Sequence, residues 1–171
     1  IEPEYPLSYE SSICKLLSAD IQIGLSLVPD FLVDSFYDEG RTITAATNPI
    51  VRDDGAVLPE QYIGWIWYEG DMWIAVNCNG HPCYDQDMAV IHELGHYLGH
   101  CTKLLNRYSV VAERDWLMEF FRDYCNESSH EFFADSFVAY ILWPEEMAAN
   151  APMVYRHIET CLYDLMEEVS E

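Results

Sequence analysis

Basic residues are scarce in this sequence: 8 Lys and Arg stand against 30 Asp and Glu, a formal net charge of −22. Affinity for nucleic acid comes largely from Lys and Arg displacing counterions from phosphates, so DNA and RNA are not expected as partners, nor are anionic membrane surfaces. An acidic field favours neutral or cationic partners and keeps a chain soluble, but it says little about fold. Long apolar runs are also missing. No stretch of 18 such residues occurs, and a membrane-spanning helix is not expected. Neither an internal repeat nor a Gly/Ser linker divides the chain, so residues 1–171 are read as a single domain, working as a monomer. With 50% hydrophobic and 14% aromatic residues the composition is globular, which excludes disorder.

The chain opens Ile1-Glu2-Pro3-Glu4, an acidic start unlike a signal peptide, and is read as a trimmed end. Six cysteines allow fifteen pairings. Their even number leans the reading towards a secreted protein with three disulfides, with six thiols in a reducing cell left open.

Apolar spacing predicts helices over Leu7 to Ser18, Pro29 to Glu39, Asp85 to His100, Ser109 to Tyr124, Ser128 to Leu142 and Met153 to Glu168. Arg41 to Ala45 reads as a strand. Tyr62 to Tyr68 and Met72 to Val76, separated by Glu69-Gly70-Asp71, read as a hairpin. Strands early and helices late, without βαβ alternation, place the chain in the α+β class: a small mixed sheet, one helix carrying the chemistry and a helical C-terminal half.

That chemistry begins at His92-Glu93-Leu94-Gly95-His96. Residues four apart share one helix face, so both imidazoles can reach a single ion while Glu93 holds water beside it. The chemistry implied is metal-assisted hydrolysis, with Zn2+ as the one catalytic ion and Glu93 as general base and then acid. The competing explanation is two histidines that merely pack or cap.

A catalytic zinc needs a third protein ligand. His100 extends the series, but i+8 lies about 12 Å along the axis from His92, too far for one ion. The position six after His96, where a metzincin has its third histidine, is Thr102. Glu131 is the better candidate, in Ser128-Ser129-His130-Glu131-Phe132-Phe133-Ala134-Asp135. Asp135, four residues on, is placed to hydrogen-bond a ligand histidine. The same residues also form a capping box, Ser128-x-x-Glu131, in which Glu131 would bond a backbone N–H instead.

His-Glu-x-x-His followed by Glu-x-x-x-Asp resembles the signature of the gluzincin metallopeptidases, and Glu131 to Phe137 is most similar to the lethal-factor-like branch, which includes the secreted Pro-Pro endopeptidases. The resemblance implies a zincin-like fold and zinc-dependent hydrolysis of peptide bonds in protein substrates. It also implies an oxyanion-stabilising Tyr seven residues before the third ligand, which is Tyr124. His130 is the second candidate for that role. Weaker likeness runs from Val28 to Gly40 and over Asn150 to Tyr155. Two features depart from the branch: His130 beside the ligand, and the Cys78-Asn-Gly-His-Pro-Cys83 loop.

A second resemblance, to intracellular peptidases that act on repressors, rests on Ala134 to Phe137, Leu142-Trp143-Pro144 and His92 to His100. A zinc-binding module without activity is the reading from another class. The Cys78 to Cys83 loop with His81 reads as a local disulfide or two thiols rather than a second metal site. The aromatic run Trp65, Trp67, Tyr68 and Trp73 reads mainly as packing, with one of its two strands a natural edge for a bound peptide.

Overall fold

The computed structural model describes residues 4–76 and 86–171. The Cys78 to Cys83 loop, His81 and Asp85 lie outside them. Two compact units divide the chain, residues 1–93 and 94–171, and the dividing point falls inside one helix.

In the first unit the order is β1 (Ser8–Tyr9), α1 (Ser12–Leu16), α2 (Ala19–Leu27), α3 (Asp30–Asp38), β2 (Ile43–Ala46), β3 (Gly64–Ile66) and β4 (Met72–Ala75), followed by the start of α4 (Gln86–Cys101). The one helix expected over Leu7 to Ser18 is instead a short strand and a single helical turn, because Ser11 caps α1 by accepting the Cys14 N–H. Helix α2 was not expected at all. Its apolar residues Ile21, Ile23, Leu25 and Leu27 alternate as in a strand, and only Ile21 and Leu25, four apart, are buried.

The sheet order is β1-β2-β4-β3, with β1 and β4 both parallel to β2, and β3 antiparallel to β4. The expected hairpin is therefore present, though its strands are shorter than the aromatic run suggested. Arg41, nearly buried, ties the turn of this hairpin down by donating to the carbonyls of Tyr68 and Gly70 at 3.2 and 3.3 Å. Strand β4 is buried along its whole length, while β3 is half-exposed and terminal in the strand order.

In the second unit α4 continues to Cys101, and α5 (Val111–Phe120), α6 (Ser129–Leu142), α7 (Pro144–Asn150) and α8 (Pro152–Ser170) follow. The helix expected from Ser109 to Tyr124 ends early. Arg122 adopts an extended backbone, which breaks it, and Tyr124 sits in a separate 3₁₀ turn, Asp123–Asn126. Helix α7 was not foreseen, since it begins at Pro144, the residue expected to stop α6. Phe132, Phe133, Phe137, Ile158, Leu162 and Leu165 are buried along α6 and α8. Gly95 permits the crossing of α4 and α6: a Cβ there would lie 3.0 Å from Ala134 Cα and from Phe137 Cβ.

No helix among the described residues is long and apolar enough to cross a membrane. The three-disulfide expectation is overturned, because Cys14, Cys125 and Cys161 are free, buried thiols.

Candidate metal centre

Helix α4 carries His92 and His96 one turn apart, as the sequence spacing required. Its close approach to α6, permitted by Gly95, brings the first turn of α6 towards His96. There His96 Nε2 and Glu131 Oε2 are 3.3 Å apart. Ligand atoms of His92, His96 and Glu131 all lie within 4.8 Å of one another, and this is the one group of its kind among the described residues. Two ligands each about 2.0–2.1 Å from a tetrahedral zinc are separated by about 3.3 Å, so the His96–Glu131 spacing suits a shared ion. Two imidazoles and a carboxylate are also a donor set that zinc accepts with a fourth position open. His100, at the end of α4, is not part of the group.

Of the capping box, the Ser128 half is formed, and it leaves the Glu131 side chain placed for a ligand role. Ser128 Oγ accepts the Glu131 N–H at 3.1 Å and so caps α6, while the Glu131 carboxylate lies beside His96. The hydroxyl fixes the backbone of Glu131 without engaging its side chain.

Glu93 is buried, with 6% of its surface exposed. Strand β3 passes directly against it: a Cβ on Gly64 would stand 2.6 Å from Glu93 Oε1 and 3.0 Å from its Cγ. Any side chain at that point of the strand would force the Glu93 carboxylate to shift. The ladder shows which way the rest of β3 faces. Ile63 O accepts from Ala75 N at 2.9 Å and Trp67 N donates to Asp71 O at 3.1 Å, so the odd-numbered residues pair with β4. By alternation the N–H and C=O groups of Gly64 and Ile66 point to the other edge of β3. Gly64 was not singled out from the sequence, where an isolated glycine in a strand pattern is the only signal of a close approach.

Asp135 is completely buried and accepts a bidentate guanidinium, with Arg122 Nη2 and Nε at 2.6 and 2.8 Å. Asp135, expected to steady a ligand histidine, also anchors an arginine that no sequence motif marks. Arg122 also stands over the rings of Tyr124 and Phe121, 4.7 and 5.1 Å from their centroids. Tyr124 is half-buried, in the 3₁₀ turn that packs on α6. Beside it, burial first and then the Asp135 carboxylate push the Cys125 thiol up to about 12. His130, the second candidate donor, is exposed in the first turn of α6.

The aromatic run is largely a packing unit. Arg52 lies over Trp65 and Trp67, 5.1 and 4.7 Å from their centroids, and Trp67 Nε1 donates to Asp53. Trp73 is buried on β4. Trp65 follows Gly64 in the strand, so its side chain leaves the face opposite Glu93.

Compared with known protein-family models the chain matches none, and no curated protein matches it either.

Proposed function

We propose that this protein is a zinc-dependent metalloendopeptidase of gluzincin type that hydrolyses peptide bonds in protein substrates. The observation that carries the reading is the approach of His92, His96 and Glu131 to a single point, with the Glu93 carboxylate one residue along the same helix. The donor set fits Zn2+, whose Lewis acidity towards water and a peptide carbonyl is the chemistry it supplies when bound. Glu93 takes a proton from water and returns it to the leaving amine. Burial of Glu93 against the Gly64 backbone restricts where that carboxylate can point, which favours a fixed proton path. Tyr124 is proposed to donate its hydroxyl hydrogen bond to the developing oxyanion, with His130 as second candidate.

A substrate laid along the outer edge of β3 would add a strand to the sheet. The outward backbone groups of Gly64 and Ile66 would then hold it, and its backbone would run past Glu93. The zincin-like identity of the fold and the place of the chain in the lethal-factor-like branch belong to the same proposal.

One observation favours a second reading within the enzyme class. Free buried thiols at Cys14, Cys125 and Cys161 suit a reducing compartment, and with it an intracellular regulatory peptidase rather than an exported one. The decisive variant for enzymatic function is Glu93→Ala. An enzyme keeps its zinc and loses nearly all turnover of a peptide library read by mass spectrometry. A binding module cleaves nothing as wild type, and its affinity for a partner does not change in the variant.

A further inference from the structure

Arg122 is the residue whose surroundings the proposed reaction leaves unexplained. It is one of only 8 basic side chains against 30 acidic ones, yet its fork is closed on the one fully buried aspartate among the described residues. Taking a carboxylate wholly out of water costs several kcal/mol, about the amount that an ideal bidentate guanidinium must repay, so such a pair is poor evidence for stability in itself. What the pair does supply is register. Asp135 lies one helical turn after Glu131 on α6, and Arg122 immediately precedes the turn that carries Tyr124. The guanidinium that binds Asp135 also stands over the Tyr124 ring, its Cζ 4.7 Å from the ring centroid. The rigid helix thus fixes Asp135 relative to Glu131, the fork fixes Arg122 relative to Asp135, and the guanidinium over the ring restrains Tyr124. Arg122 O also accepts from the buried Cys125 thiol at 3.3 Å, which ties the backbone of the turn to the same point.

We propose that Arg122 is a positioning residue that holds the Tyr124 ring in fixed register with Glu131 through the Arg122–Asp135 fork. The proposal rests on the peptidase reading for its functional consequence. Lysine keeps the charge but has neither the planar fork nor the flat face that a ring can lie on.

Arg122→Lys is therefore expected to lower kcat about 10- to 100-fold, the scale of a misplaced transition-state donor, with KM and bound zinc unchanged. Because Arg122 acts through Tyr124, the double variant Arg122→Lys/Tyr124→Phe is expected to be no slower than Tyr124→Phe alone. A kcat equal to wild type, losses that multiply in the double variant, or zinc lost in parallel with activity would each overturn the proposal. Should Arg122→Lys not fold, the apolar pair Arg122→Met/Asp135→Leu removes the buried charges together and is read in the same way. Ring resonances of Tyr124 in tyrosine-labelled protein decide the matter independently of turnover. A Tyr124 signal unmoved by Arg122→Lys refutes the clamp, and a displaced or broadened one supports it. Wild-type protein that binds zinc and cleaves no peptide would sink the peptidase reading and leave the clamp to the ring signal alone.

Discussion

Replacing Gly64 by alanine probes the contact between β3 and the helix that carries Glu93 with a single methyl group. The added Cβ would lie 2.6 Å from Glu93 Oε1, whereas ordinary van der Waals contact begins near 3.4 Å. Either the strand or the carboxylate has to yield by the difference, about 0.8 Å. Carboxylate movement is the easier of the two, since β3 is paired to β4 through Gly64 to Ile66. A displacement of about 1 Å in a reacting group can cost on the order of 100-fold in rate. Overpacking of this kind also costs roughly 1–3 kcal/mol in stability. Gly64→Ala is thus expected to lower kcat by about 10- to 100-fold while leaving zinc affinity intact. Steady-state kinetics with metal titration measures the first part. Denaturant unfolding measures the second through a cycle with Glu93→Ala: the alanine should destabilise wild type and have almost no effect where the carboxylate is gone. Unchanged kcat, or an equal stability loss in both backgrounds, refutes the claim that Gly64 shapes the position of Glu93.

Three further outcomes follow from the same structure. Ser128→Ala removes the hydroxyl that caps α6 and should cost about 1 kcal/mol in urea unfolding, and no change would mean that the cap contributes nothing. Tyr5 and Tyr140 are pushed up to about 12, by burial first and then by Asp30 and Tyr155 respectively, and burial raises Tyr37 as well. Unfolded tyrosine ionises near pH ~10, so the folded state holds these protons longer; the stability they contribute is complete below that pH and is lost as pH rises through about 12. Tyrosinate absorbance should then show a late-titrating class, and a single class with ordinary values would contradict it. Cleavage of basic peptides should slow as salt rises, through kcat/KM rather than kcat, because a net charge of −22 steers cations; an insensitive kcat/KM would count against steering.

The candidate metal ligands are legible in the sequence because their geometry is local. His92 and His96 need only a helix to share a face, and α4 provides it. Glu131 was legible for a related reason, since its place three residues after Ser128 fixes it in a first helical turn. What the sequence concealed depends on the chain turning back on itself. The partnership of Arg122 with Asp135 joins the segment just past the end of α5 to the middle of α6, and the helix end itself is hidden because the apolar pattern continues through Phe121. Gly64 gave no hint of Glu93, 29 residues away, since close approach is a tertiary fact. Helix α2 was hidden by alternation: Ile23 and Leu27 remain exposed, so its apolar residues did not mark a single buried face.

Zinc titration of wild type and Glu131→Ala by calorimetry, with metal content per chain measured alongside, tests most directly whether three side chains share one ion. One tightly held zinc per wild-type chain, and markedly weaker binding once the carboxylate from α6 is removed, is the expected result. Equal zinc affinity in both proteins would contradict the assignment of Glu131, and with it the catalytic site built around it.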